Sequence, residues 1–360
     1  MEQVIDLTHK EFLKIDRDYG KAAKVADLVY VNDKSPGITR IKKESGFIYK
    51  YDDKTIKDKQ ELERIRKLAI PPAWTNVWIC PNEYGHIQAI GYDVKGRKQY
   101  RYHKYWESLR NETKFHRLYE FGKVILALRE RVETDLSLKV LCEEKVIATV
   151  ISLMERTYIR IGNDDYEKKN GSYGLTTLKD KHVKINGDTV HFSFIGKKGI
   201  EQEITLKHKK LARMVKQCRD IPGKELFQYY AEDGTRKSVD SGMVNRYIKE
   251  ATGGDFTAKD FRTWAGTLNI LRAFCTIGEA DGDVTCKKNV LSALDEVSKK
   301  LGNTRSVCKK YYVHPGIIKL YEENALDKYL KELDKIEKDD QLTGYTSEER
   351  VLMKILKDLV

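Results

Sequence analysis

Residues 309–316 read KKYYVHPG, two phenols set behind two lysines. This pair closes a longer stretch, LGNTRSVCKKYYVHP, in which Asn303 follows Gly302. Three other polar clusters stand upstream: YIRIGNDDY (158–166), FIGKKG (194–199) and KDFRTWAGT (259–267). Each has an ordinary explanation. Arg160, read as ending an apolar helix before Gly162, would complement the helix dipole. Lys197 at a hairpin tip would simply be solvated. Lys259 and Arg262, three apart on one helix face, would form salt bridges. The tyrosines would be an aromatic patch. Taken together, Arg160, Lys197, Arg262, Asn303 and Tyr312 are the set that exchange at a phosphodiester requires. Arginines offer permanent charge and forked donors to the non-bridging oxygens of a five-coordinate transition state. A lysine can protonate a leaving 5′ oxygen. Tyrosine, with an ordinary pKa of about 10, attacks only where cations favour its phenolate.

The composition agrees with such a substrate. The chain has 360 residues, 34 % charged and 40 % hydrophobic, with a net charge of +12. That is enough for two or three folded domains and points to a polyanionic partner, nucleic acid ahead of an anionic membrane, with plain solubility as the bland alternative. No apolar run reaches the roughly 20 residues of a membrane span, and the charged N-terminal stretch lacks a signal-peptide core. Cys80, Cys142, Cys218, Cys275, Cys286 and Cys308 show no zinc spacing and read as thiols of a reducing cytoplasm. No acidic or His/Cys cluster suggests metal ligands, so the protein's own cations would replace Mg²⁺.

The elements that must position these residues fall into two textures. From Gly37 to Tyr105, short aromatic or β-branched segments predict strands: GFIYKY (46–51), VWIC (77–80), GHIQAIGYD (85–93) and QYRYHKYW (99–106). They are interrupted by a helix over 57–69 and by the irregular IPPAW (70–74). From about Ser108, three- and four-residue spacing predicts helices over 114–133 and 142–159, the second burying Val146, Val150, Met154 and Tyr158. GLTTL (174–178), HVKI (182–185), TVHFSFIG (189–196) and EQEITL (201–206) predict a small sheet, with a type I′ turn at Asn186-Gly187. After Lys207 the chain reads as largely helical. The expected fold is α+β: a small β-rich domain over residues 1–108 and a larger, mainly helical domain over 109–360 with a small antiparallel sheet. Residues 1–36 and the tail after Asp334 carry no readable role.

KGRKQYRYHKYW (95–106) has five Lys or Arg residues, no acids, and aromatic residues between them. On a strand Tyr100 and Tyr102 share a face. Cations would meet phosphates, and Gln99 and the tyrosines would meet bases or sugars. The alternative is an exposed basic strand whose tyrosines pack inward.

These motifs resemble the small type IB DNA topoisomerases of bacteria and large DNA viruses. The resemblance runs from GITRI (37–41) to HPGI (314–317). Its most specific parts are RIRKLAIPPAW, VWICPNEYGHIQA, GRKQYRYH, RIGN, GLTTL, KDFRTW and the GNT…YVHP region. It implies a tyrosine recombinase/topoisomerase IB-like catalytic core, in which Arg160 and Arg262 are the catalytic arginines and Lys197 the general acid. Asn303 stands where poxvirus enzymes have histidine and bacterial relatives asparagine. Tyr312 matches the nucleophile, and Tyr311 stands where relatives carry a small residue. Gln99, Tyr100 and Tyr102 match DNA contacts of the N-terminal clamp domain. Tyr166 and Lys259 match residues near the phosphates around the cleavage site. The implied reaction relaxes supercoiled duplex DNA through a 3′-phosphotyrosyl intermediate, strand swivelling and religation, without ATP, cofactor or metal. A monomer would act as a clamp on duplex DNA, in the cytoplasm of a bacterium or of a virus's host. Two other classes share part of this pattern. Tyrosine recombinases share the constellation but typically carry H-x-x-R where this chain has Lys259-x-x-Arg262. A non-catalytic DNA-binding protein on the same fold would have no need of Tyr312 or Lys197.

Overall fold

The computed structural model describes residues 7–44, 46–280, 282–333 and 344–360. The remaining residues of the N-terminal domain and of the tail lie outside the described residues. The described chain divides into two compact units, Met1–Arg117 and Leu118–Val360.

The first unit opens with two short helices that the sequence left unassigned, α1 (His9–Ile15) and α2 (Tyr19–Val25). A six-stranded sheet follows, with order β3-β2-β1-β4-β5-β6 and antiparallel pairing throughout. Its strands are β1 (Ile38–Lys43), β2 (Gly46–Tyr51), β3 (Lys54–Thr55), β4 (Thr75–Ile79), β5 (Ile87–Tyr92) and β6 (Lys98–Tyr102). The predicted helix is present as α3 (Lys59–Lys67), between β3 and β4. Asp58 caps it by accepting from the N–H groups of Gln60 and Glu61. Its Ile65 packs with Ile38, Val77, Ile79 and Ala89 of the sheet. Arg64 reaches across to the Cys80 carbonyl (2.8 Å) and the Gln88 side chain (2.9 Å), fixing α3 to β5. A second small core joins Phe12, Ala22, Ala23 and Leu28 to Trp106 and Leu109. Those last two sit on α4 (Lys104–Leu136), which starts where the predicted strand over 99–106 was still running. Aromatic density misled there, because Trp106 and Leu109, three apart, are buried on one helix face. The division into units falls within α4, after Arg117.

The second unit is built around two helices buried on nearly every side, α5 (Glu143–Thr157) and, further on, α9 (Ala258–Ile277). Between them come α6 (Asp164–Asn170), the strands β7 (Val183–Asn186), β8 (Thr189–Ile195) and β9 (Glu201–Lys207), α7 (Lys209–Arg219), a ribbon of β10 (Gln228–Tyr230) and β11 (Arg236–Ser238), and α8 (Ser241–Thr252). After α9 follow α10 (Gly282–Leu301), α11 (Arg305–Tyr311), α12 (Pro315–Glu322), α13 (Asp327–Leu333) and α14 (Ser347–Leu359). The three-stranded sheet β7-β8-β9 is the one expected, with two corrections. Leu175–Thr177 of GLTTL forms a short 3₁₀ turn and not a strand. Asn186 pairs with Thr189, so the loop is Gly187-Asp188; of these only Gly187 has a positive φ, against the two that type I′ needs. The two-stranded ribbon was not foreseen within a region read as helical.

Candidate active site

Arg160 does not end its helix, as its sequence suggested. α5 stops at Thr157, and Tyr158 caps it in the left-handed region (φ 57°). The chain then runs extended, and its carbonyls are taken up by the 3₁₀ turn: Leu175 N–H donates to Arg160 (2.8 Å) and Thr176 N–H to Ile161 (2.7 Å). Gly174 is required at this crossing, since a Cβ there would lie 2.5 Å from the Arg160 carbonyl oxygen. With its backbone held, the Arg160 guanidinium donates to the Asn303 side-chain oxygen and to the Gly302 carbonyl (3.3 Å). Asn303 is set by its own N–H, which donates to Ser298 of α10 (2.9 Å), and by its amide nitrogen, which donates to the Leu301 carbonyl (3.3 Å).

Arg262 lies in the second turn of α9, whose start is fixed by a capping box between Thr257 and Asp260. It is 6 % exposed. Its two terminal nitrogens donate to the Tyr158 and Leu301 carbonyls, while its buried Nε has no hydrogen-bond partner. One turn later Gly266 lets Tyr312 approach: a Cβ there would fall 2.5 Å from the Tyr312 carbonyl oxygen. Thr267 then donates to that oxygen (3.2 Å) and accepts from the His314 N–H (3.1 Å). Gly266 and Thr267 were missed as site residues, although Gly266 stands four residues after Arg262 and so shares its helix face.

Tyr312 caps α11, its N–H donating to the Cys308 carbonyl (3.0 Å). The Arg262 guanidinium lies 5.0 Å from its ring centroid. Burial pushes the Tyr312 phenol up, but Arg262, Arg160 and Lys197 outweigh it, so its pKa falls below the usual value. Arg160 is pushed down to about 10, by burial first and by Arg262 second. Lys197 sits in the β8–β9 turn and is exposed as a residue. Its ammonium end is nonetheless crowded, and burial followed by Arg160 lowers its pKa. Cys308 was also not foreseen. Burial raises its thiol to about 11, beside Arg262, Asn303 and Arg160. Among the described residues, no carboxylate forms an ion pair with Arg160, Lys197 or Arg262, and no cluster of three His, Cys, Asp or Glu is placed to hold a metal ion.

The structure therefore gathers Arg160, Lys197, Arg262, Asn303 and Tyr312 in one place. Tyr166, exposed on α6, stands at its edge, with the Lys197 ammonium 5.9 Å from its ring centroid. Lys259 is exposed in the first turn of α9, outward of buried Arg262. Tyr311 is 41 % exposed at the end of α11, so of the two phenols Tyr312 is the one drawn into the cations. Gln99, Tyr100 and Tyr102 belong to the first unit, on β6. The two tyrosines share a face, stacked at 5.7 Å and exposed, whereas Gln99 donates back to Asp93 (3.1 Å).

The family model described as eukaryotic DNA topoisomerase I, catalytic core, matches residues 97–340, and that of the bacterial DNA topoisomerase IB N-terminal domain matches residues 46–93. DNA topoisomerase 1B of Acanthamoeba polyphaga mimivirus is 37 % identical over 299 residues, covering 80 % of this chain and 88 % of the relative. DNA topoisomerase 1B of vaccinia virus (strain Copenhagen) is 25 % identical over 282 residues, covering 75 % and 85 %. DNA topoisomerase 1 of Mycosarcoma maydis is 25 % identical over 56 % of this chain but only 22 % of that larger protein. The chain belongs to the type IB DNA topoisomerase family, in its small form.

Proposed function

We propose that the chain relaxes supercoiled duplex DNA by transient cleavage of one strand, with Tyr312 as the nucleophile. Its phenol, whose pKa the cations lower, gives its proton to water; the phenolate oxygen attacks phosphorus, a 3′-phosphotyrosyl bond forms, and the bond to the 5′ oxygen breaks. Lys197 gives its proton to that leaving oxygen. Arg160 and Arg262 hold the charge that builds on the non-bridging oxygens, and Asn303 donates to the same oxygens while orienting Arg160. The free end swivels, attacks the phosphotyrosine and reseals the strand. The covalent link keeps the energy of the phosphodiester, so no ATP is needed, and the protein's own cations stand in for a metal. Residues 1–108 would serve as the DNA-clamp domain and 109–360 as the catalytic domain, in one chain acting as a monomer on DNA inside the cell. Gln99, Tyr100, Tyr102, Tyr166 and Lys259 would contact the duplex, whose phosphates provide most of the affinity.

The observation that carries this reading is the convergence of three cations, none paired with a carboxylate among the described residues, on a half-buried phenol whose pKa they lower. The test is plasmid relaxation in EDTA without ATP. The wild-type chain should change linking number. Tyr312→Phe should neither relax the plasmid nor form a denaturant-stable adduct, while still binding DNA. An adduct surviving in that variant would move the chemistry to another residue.

A further inference from the structure

Residues 7–36 take no part in the chemistry above, yet they are tied to the sheet. Val29 N–H donates to the Tyr84 carbonyl (2.8 Å), His86 N–H to the Val29 carbonyl (2.9 Å) and Val31 N–H to His86 Nδ1 (3.1 Å). This lays the Tyr30 ring flat on His86, with centroids 4.3 Å apart and planes 17° apart. His86 stands edge-on to Trp106 at 4.7 Å, a buried floor beneath the exposed rings. Tyr19 of α2 stacks beyond Tyr30 at 6.4 Å. His86 also neighbours Tyr102 at 6.5 Å, and Tyr102 stacks on Tyr100. One row of rings thus runs Tyr100, Tyr102, His86, Tyr30, Tyr19. Its four tyrosines are 43, 40, 52 and 48 % exposed in that chain order of the row.

Aromatic rings left this open forgo burial that each could have had. The row also has an ion pair at each end. The Lys98 ammonium lies 5.8 Å from the Tyr100 ring centroid and pairs with Asp33, and the Arg110 guanidinium lies 5.1 Å from that of Tyr19 and pairs with Asp16. The hydroxyls share one neighbourhood as well: the Tyr102 phenol is pushed up by burial first, and then by Tyr100, Tyr30 and Tyr19.

We infer that Tyr30 and Tyr19 are DNA-contact residues, which extend the duplex-binding face of β6 onto the N-terminal segment. The inference rests on the reading of Tyr100 and Tyr102 as DNA contacts. The occupant is duplex DNA because the row adjoins that face, Tyr102 and Tyr30 flanking the buried His86, and its exposed phenols offer donors to a polyanion. Its phenol hydroxyls donate to backbone phosphate oxygens, a contact that positions the duplex without reading its sequence. Ring-to-ring steps of this size reach along several nucleotides, at about 3.4 Å of helix axis per phosphate of one strand.

The experiment compares Tyr30→Phe, Tyr19→Phe and the double variant in a Tyr312→Phe background, which prevents cleavage. Phenylalanine keeps the ring stack and removes only the hydroxyl. Affinity for a 30-base-pair duplex is read by fluorescence anisotropy across a salt series, with Tyr102→Phe as reference. Each single change should weaken binding about 3- to 10-fold, the net worth of one typical hydrogen bond. The slope of log affinity against log salt should stay the same, because no cation is lost. If Tyr102→Phe weakens binding and Tyr30→Phe and Tyr19→Phe do not, the face ends at β6 and the inference is wrong. If none of the three weakens binding, the β6 reading falls with it, and plasmid relaxation by the otherwise wild-type chain reports separately on the proposed activity. A change in sedimentation in place of DNA affinity would make the row a self-association surface, which also overturns the inference.

Discussion

Arg129 and Arg160 lie in the same unit and have opposite surroundings. Arg129, on α4, is 9 % exposed. Its guanidinium donates to Glu155 of α5 (2.6 Å), to Glu349 of α14 (2.7 and 2.9 Å) and to the Gly344 carbonyl (3.0 Å). Trp264 of α9 donates to the same Glu349 (3.0 Å). Burial alone would push Arg129 down, but the two carboxylates hold its pKa above the ordinary value. Arg160 donates to an amide and a carbonyl, has no carboxylate partner among the described residues, and is pushed down to about 10. Arg262 is as deeply buried as Arg129 and has two carbonyls and an orphaned Nε. Both regions place arginine out of water. In one the charge is neutralised within the fold and fastens three helices to the tail. In the other it is left for a substrate to neutralise.

This contrast is broken most severely at Arg129. Arg129→Met should cost about 3–5 kcal/mol of stability, because it leaves two carboxylates uncompensated, one of them buried. The loss would be read as a lower urea midpoint. The same change at the site should act the other way round. Arg160→Met should cut single-turnover cleavage about 10²- to 10³-fold, the effect of removing one preorganised donor, and leave the urea midpoint unchanged or higher. Equal destabilisation by the two changes would show that Arg160 is a structural residue.

A smaller effect sharpens the comparison through pH. Lys197 must be protonated to act as an acid, and its pKa is lowered, by burial and then by Arg160. Cleavage should therefore fall as pH rises through a value below the ordinary 10.5 of lysine. That falling limb should vanish on a substrate with a 5′ thiol leaving group, which needs no proton. A limb that persists on the thiol substrate would remove Lys197 from the role of acid. The smallest effect belongs to Glu349. Burial raises its pKa, but Arg129 and the Thr346 N–H outweigh that, so the folded value lies below 4.5. A depressed carboxyl contributes stability above its unfolded pKa and loses it as pH falls through the folded one. Acid unfolding followed by circular dichroism should show this loss below pH 4.5, and Glu349→Gln should flatten it.

Much of the site could be read in the sequence because its chemistry is specific to residue type. Forked cations, a mobile amine and a phenol on a basic chain suit phosphodiester exchange, but each signal is weak alone; the resemblance to type IB topoisomerases singled out Arg160, Lys197, Arg262 and Tyr312, which the fold then brings together. What supports them was less visible. Glu349 meets Arg129 across 220 positions, a distance that no local pattern spans, and the tail therefore read as having no role. The Arg160 segment was misplaced because Gly162 resembles a helix exit, whereas Tyr158 takes the left-handed cap at a cost that only its surroundings explain. α1 and α2 are seven residues each, too short for periodicity to declare them. The strand over 99–106 was carried too far because aromatic residues favour strands on average, while the burial of Trp106 and Leu109 decided locally for a helix.

The account as a whole depends on one phenol being drawn into uncompensated positive charge. The most direct measurement is mass spectrometry of the tryptic peptide from a DNA adduct trapped with denaturant. The relevant peptide runs from Tyr311 to Lys319 and contains both phenols, so fragment ions must separate them. The nucleotide remnant should sit on Tyr312; a remnant on Tyr311, or none on this peptide, would contradict the account.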